Sequence, residues 1–77
     1  MNDNKFSKEQ TAFLVYCIEM YKNKFNLSGS QTQELFSKTG ADIYILNNFE
    51  ALHTTGLEYT MDDIHGFIEG VFHAQNN

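Results

Sequence analysis

The sequence predicts an all-α protein: one compact domain built from four short helices, or five if the third divides. Three observations predict it. Apolar residues recur at three- and four-residue spacing in several separate stretches, the signature of amphipathic helices. Two Ser-x-x-Gln capping patterns stand at the heads of such stretches. The chain contains no proline, so no ring blocks a helix anywhere along it.

Helix 1 is expected over about 7–25. Ser7 and Gln10 form the first capping pattern, and Phe13, Leu14, Cys17, Ile18, Tyr21 and Phe25 supply the apolar stripe. Asn26 is a residue that tolerates the left-handed conformation of a helix end. Ser28 and Gln31 repeat the pattern and open helix 2, about 29–38, with Leu35 and Phe36 facing inward. Lys38 suits the negative end of that helix, and Gly40 its termination.

Asp42 leads a third helical stretch through Ile43, Ile45, Leu46, Phe49 and Leu52, which Asn47 and Asn48 divide if they interrupt it. His53-Thr54-Thr55-Gly56 reads as a helix end and turn. Leu57-Glu58-Tyr59 reads as extended. Thr60 reads as the cap of a last helix whose first turn holds Asp62 and Asp63, with Met61, Ile64, Phe67, Ile68, Val71 and Phe72 inward. Gly66 and Gly70 stand four apart in it, either exposed or admitting another backbone. The stripes should meet in one core with Leu35, Phe36, Phe49 and Leu52 at its middle. Residues 1–6 read as a disordered tail, 7–74 as the helical domain and 75–77 as a frayed end.

With 77 residues the chain makes one domain of modest stability. Cys17 is the only cysteine, which excludes an internal disulfide and a multi-cysteine zinc site. On an apolar stripe it reads as a small buried hydrophobe rather than a reactive thiol. The N-terminal residues contain no secretory h-region, and no apolar run is long enough to span a bilayer. A lone buried thiol fits a reducing compartment, so the expected location is cytoplasmic.

Charge is divided along the chain. All five lysines lie at or before Lys38 and there is no arginine. Beyond it stand Asp42, Glu50, Glu58, Asp62, Asp63 and Glu69 with no cation. Such a surface repels a polyanion, and nucleic-acid binders need clustered cations. The partner this composition favours is another protein with a basic surface. Seven Phe and four Tyr also leave room for a homodimer interface.

Sites with chemistry are few. His65, Glu69 and His73 share one helical face, a spacing that can ligate zinc. The plainer reading is a solvated polar stripe, and no cofactor is expected. His53 lacks a nucleophile and an orienting group, and reads as an imidazole bonded to a backbone carbonyl at a helix end. Ser7, Ser28, Thr54, Gly56 and Thr60 read as caps and turn residues. The stretch from Gln31 to Phe49 has the outline of a helix-turn-helix presenting Asp42, Tyr44, Asn47 and Asn48, but no lysine or arginine stands among these to hold phosphates. No catalytic residues emerge, and the chain reads as a non-enzyme. The candidate partner-binding surface is Asp42, Tyr44, Glu50, Glu58, Tyr59, Asp62, Asp63 and Glu69, with carboxylates to steer and tyrosines to anchor.

Five groups of residues carry a resemblance. They are Cys17-Ile18-Glu19 with Tyr21; Leu27-Ser28-Gly29; Glu34-Leu35-Phe36 with Gly40; Leu52-His53-Thr54 with Gly56; and Tyr59 with Asp63-Ile64 and Phe67-Ile68. In order and spacing, across about residues 12–70, they resemble the domain of unknown function 3791 family. The resemblance implies a cytosolic, bacterial or phage-borne helical protein with no catalytic residues to carry over. It also implies genes neighbouring those for ADP-ribosyltransferase-like proteins, and so an antitoxin-like or regulatory partnership. Under it, His53, Thr54 and Gly56 are equally fold determinants.

Overall fold

The computed structural model describes residues 6–75. Among them five helices appear in order: α1 (Lys8–Lys24), α2 (Gly29–Thr39), α3 (Ala41–Asn47), α4 (Phe49–Leu52) and α5 (Leu57–Gln75). Met1–Lys5 and Asn76–Asn77, assigned to the tail and the frayed end, lie outside the described residues. Of the other residues so assigned, Phe6 is half-buried and Gln75 is the last residue of α5.

Both capping boxes form. The Ser7 hydroxyl accepts the Gln10 N–H at 3.1 Å, and the Gln10 amide oxygen accepts the Ser7 N–H at 2.7 Å. Ser28 and Gln31 repeat the exchange at 3.0 and 2.8 Å. Each box satisfies two of the donors that a helix start leaves orphaned. Gln10 also donates from Nε2 to the Leu46 carbonyl at 3.0 Å, tying the head of α1 to the tail of α3.

Helix α1 closes as a Schellman turn. Asn26 takes a left-handed φ of 57°, and the Leu27 N–H reaches back to the Lys22 carbonyl at 2.9 Å. Gly40, at φ 82°, ends α2 and starts α3 in a single residue, a conformation that costs glycine nothing. Asn48 does divide the third stretch into α3 and α4.

The last helix begins earlier than its sequence predicts. Leu57–Tyr59 is helical rather than extended, and Thr60 lies inside α5 rather than capping it. Thr60 is buried, and its hydroxyl lies 3.1 Å from both the Leu52 and the Gly56 carbonyl. A hydroxyl turned inward to these carbonyls replaces the capping role, and the Thr60 N–H bonds the Gly56 carbonyl at 3.0 Å as the first full helical turn.

The core comprises Cys17, Tyr21, Phe36, Ala41, Ile45, Leu46, Leu52, Met61, Ile64 and Ile68. Phe36 and Leu52 occupy the expected middle. Leu35 and Phe49 do not, and are half-buried at its margin. Val71 is half-buried and Phe72 is exposed, Phe72 facing α2 across an open groove. A methyl added at Gly66 or Gly70 would meet nothing within 4 Å, so neither glycine serves a close approach among the described residues. Of three buried threonines, Thr32 and Thr39 donate to the carbonyl four residues back and Thr60 has the Gly56 and Leu52 carbonyls within reach of its one proton, which spares the core an unpaired hydroxyl.

Cys17 is fully buried, and burial pushes its thiol from 9.0 to about 12. Tyr21 is also shifted upward, by burial and then by the charge of Glu69. Both groups are therefore more acidic in the unfolded chain. The Cys17 contribution to stability is complete below pH 9 and is lost as pH rises towards 12, and Tyr21 adds a loss of the same sign at alkaline pH. The urea midpoint should accordingly fall steadily above pH 9, and less so in Cys17→Ala. A midpoint that stays flat up to pH 11.5 in the native chain would contradict this.

Candidate functional site

Helix α5 carries most of the expected interaction surface. At about 100° per residue, Glu58, Asp62, His65, Glu69 and His73 fall along one side of it, and Tyr59 and Asp63 fall beside them. Tyr59 is 75 % exposed, the most exposed large hydrophobic residue among those described. Asp62 is exposed and, among the described residues, makes no side-chain hydrogen bond or ion pair. Glu58 lies 3.6 Å from the Lys24 ammonium, in an exposed pair that contributes little to stability.

Tyr44 and Asp63 bond to each other. The Tyr44 hydroxyl donates to the Asp63 carboxylate, and its ring lies flat on Phe67 at 4.3 Å between centroids. The hydrogen bond to Asp63, with burial and that carboxylate's charge behind it, raises the phenol to about 12. Tyr44 is half-buried and clamps α3 to α5. Asp42 is also half-buried, its Oδ1 accepting the Ile43 N–H at 2.7 Å. Glu50 is exposed on α4, and among the described residues no hydrogen bond or ion pair links Asp42 or Glu50 to the α5 carboxylates.

The outline of a helix-turn-helix is present where α2 and α3 meet at Gly40, but α3 is only seven residues long. Of its expected base-reading residues, Tyr44 and Asp42 are engaged as described. The Asn48 amide donates to the Tyr44 carbonyl at 2.8 Å, and Asn47 remains exposed.

A third array joins α1 to α5. The Tyr21 hydroxyl lies 2.9 Å from His65 Nδ1, and His65 Nε2 lies 3.6 Å from Glu69 Oε2. The Phe25 ring stacks on the imidazole at 4.7 Å. Hydroxyl, imidazole and carboxylate stand in the order of a nucleophile, its base and an orienting group. Tyr21, however, is 3 % exposed, and its upward shift holds the proton on the oxygen, the reverse of an activated nucleophile. The array is a polar tie between two helices. His73, one turn beyond, is exposed and outside it. Among the described residues no group of three or more His, Cys, Asp or Glu side chains is placed to hold a metal ion.

The segment 52–60 forms a knot around one carbonyl. The Leu52 oxygen is approached by the Thr55 hydroxyl at 2.9 Å and the Thr60 hydroxyl at 3.1 Å, and the two hydroxyls lie 2.9 Å apart. His53 bonds through Nδ1 to the Phe49 carbonyl at 2.8 Å and stacks on the Phe49 ring at 4.2 Å. Thr54 donates to the Ala51 carbonyl at 3.0 Å. His53 and Thr54 thus close the end of α4, and Gly56 supplies the carbonyl on which α5 starts. Sequence reasoning placed Thr55 in the turn but missed its meeting with the Thr60 hydroxyl, and it missed the Tyr21 hydroxyl altogether. The Tyr21 partner lies 44 residues away in the chain, a distance that no local pattern encodes.

The family described as Protein of unknown function (DUF3791) matches residues 12–70 by its sequence profile. The chain belongs to this domain of unknown function 3791 family. No curated protein and no solved structure matches it. The family's span takes in the knot at Leu52, the Tyr44–Asp63 clamp and the Tyr21–His65–Glu69 tie. It leaves out His73 and Phe72, and with Phe72 one side of a groove of about 280 Å³ lined also by Gln31, Glu34, Leu35 and Lys38. The polar ties that join α3, α4 and α5 thus belong to the 3791 family's own span.

Proposed function

We propose that the domain is a protein-interaction module that binds a basic partner on the outer face of α5. The observation that carries this reading is Tyr59. It projects with 75 % of its surface exposed, beside the exposed carboxylates of Glu58, Asp62 and Asp63. An aromatic ring within a ring of like charges suits a contact in which the ring anchors and the charges steer. No lysine or arginine follows Lys38 to neutralise that face from within the same helix. A neutralising or regulatory role toward an ADP-ribosyltransferase-like protein is the narrower form of the reading, and rests on the family resemblance alone. The DNA-binding alternative has less support, because three of its four presenting side chains bond within the fold. The metal alternative is weakened by the separation of His73 from the other two residues.

The test uses immobilised domain and lysate of the native organism. Asp63 holds Tyr44, so the informative variants are Tyr59→Ala and Asp62→Lys, at exposed positions where folding is expected to survive. A specifically captured protein should be lost in Tyr59→Ala, reduced in Asp62→Lys, and released by salt. Capture of the same proteins by all three chains would remove α5 as the binding face.

A further inference from the structure

Helix α1 is apolar on two sides. Its inner side buries Cys17 and Tyr21. Its outer side, where a surface helix ordinarily places charge, carries exposed Ala12, Val15 at 60 % exposure and Tyr16 at 45 %. Nothing within the described chain covers that second side.

The outer side has a particular order. Lys8, Ala12, Val15 and Glu19 stand at i, i+4, i+7 and i+11, which confines them to about 60° of the helix circumference. All four are exposed. Along the helix the stripe reads cation, small apolar, apolar, anion. Turned end for end, the same stripe presents its opposite charge at every charged position. An antiparallel copy, related by a twofold axis midway between Ala12 and Val15, sets Lys8 against the partner's Glu19 and Ala12 against the partner's Val15. Symmetry makes each contact twice. A parallel copy would instead set lysine on lysine and glutamate on glutamate.

We propose that the occupant of this face is a second copy of the chain, packed through α1 in that antiparallel register. The charge division of the whole molecule favours it. α1 holds Lys8, Lys22 and Lys24 against Glu9 and Glu19, in a chain of net charge −5. Association through α1 therefore joins the chains by their least negative helix. Alanine at position 12 lets the two helices approach closely, and Tyr16 flanks the seam on the same side as the partner's Tyr16. Glu19 now pairs through Oε2 with Lys22 at 3.4 Å, which leaves its second carboxylate oxygen for Lys8 of the other copy. The interface is one helix pair, smaller than the roughly 800 Å² per partner of a tight complex, so the dimer is weak. It is independent of the α5 reading, because the two faces share no residue.

Sedimentation equilibrium from about 10 μM to about 1 mM covers the range expected of so small an interface. The native chain should move from 8.9 kDa towards twice that mass. Lys8→Glu and Glu19→Lys should each weaken self-association roughly tenfold, since each turns two attractive pairs repulsive and exposed pairs are individually small. An equimolar mixture of the two single variants should associate again, as should the double variant Lys8→Glu/Glu19→Lys, in which the stripe is reversed but still self-complementary. Circular dichroism of each variant confirms that helix content is unchanged. A native chain that stays at 8.9 kDa up to 1 mM overturns the proposal. So does a dimer indifferent to the single swaps, or one that neither the mixture nor the double variant restores. Partner capture through Tyr59 should persist in the α1 variants, so failure of one face is read separately from failure of the other.

Discussion

Phe36→Ala should destabilise the domain by about 3–5 kcal/mol, enough to leave much of it unfolded at 25 °C. Phe36 is 1 % exposed and meets the buried Tyr21 ring edge-on, with centroids 5.2 Å apart and planes at 73°. Truncation removes the transfer energy of the ring and leaves a cavity where α2 meets α1. A chain of this size holds only a few kcal/mol in reserve, so no neighbour can absorb the loss. Phe72→Ala is the control. Phe72 is 37 % exposed at the end of α5, and its truncation should cost about 1 kcal/mol or less. Urea unfolding followed by far-ultraviolet circular dichroism measures both. Similar midpoints for the two variants would mean that Phe36 is not central to the core.

Gly66→Ala and Gly70→Ala should act in the opposite direction. Both glycines lie inside α5 with open space where a methyl would stand. Each replacement should add roughly 1 kcal/mol, because glycine loses more backbone freedom on entering a helix than alanine does. At 4–8 °C per kcal/mol for a domain of this size, the double variant should melt roughly 8–15 °C higher. Thermal unfolding at fixed concentration decides it. An unchanged or lower Tm would show that the glycines relieve a strain the folded chain does not display. If the double variant gains stability but loses a captured partner, the glycines mark where that partner approaches α5.

Much of the fold was legible because its signals are local. Ser7 with Gln10, and Ser28 with Gln31, name helix starts by chemistry that spans four residues. Asn26, Gly40 and Asn48 mark the ends of α1, α2 and α3 through their own backbone preferences. Cys17 was legible as buried from its place on a periodic stripe. His53 was legible as a helix-end residue from the threonines and glycine after it. The start of α5 was not legible, because Thr60 resembles a cap in sequence and bonds the Leu52 carbonyl only when α4 lies beside it. Leu35 and Phe49 look as apolar as Phe36 and Leu52. Which pair fills the centre depends on how α2 and α4 are rotated against their neighbours.

The candidate surface divides in the same way. Its acidity is a property of composition, and the sequence states it completely. Which carboxylates stay free is decided by neighbours: Asp63 is taken by Tyr44, Glu69 and Glu58 face His65 and Lys24, and Asp62 remains open beside Tyr59.

By itself, then, the sequence determined the helical class, the punctuation of the first three helices, the buried thiol and the acidic half. Each of these rests on a pattern within one helix or on a sum over the chain. Only the tertiary structure decided that Tyr21 meets His65, that Thr55 and Thr60 share the Leu52 carbonyl, and that α1 keeps a second apolar side exposed. Those depend on distances between segments up to 44 residues apart, which are set when the helices pack and not before.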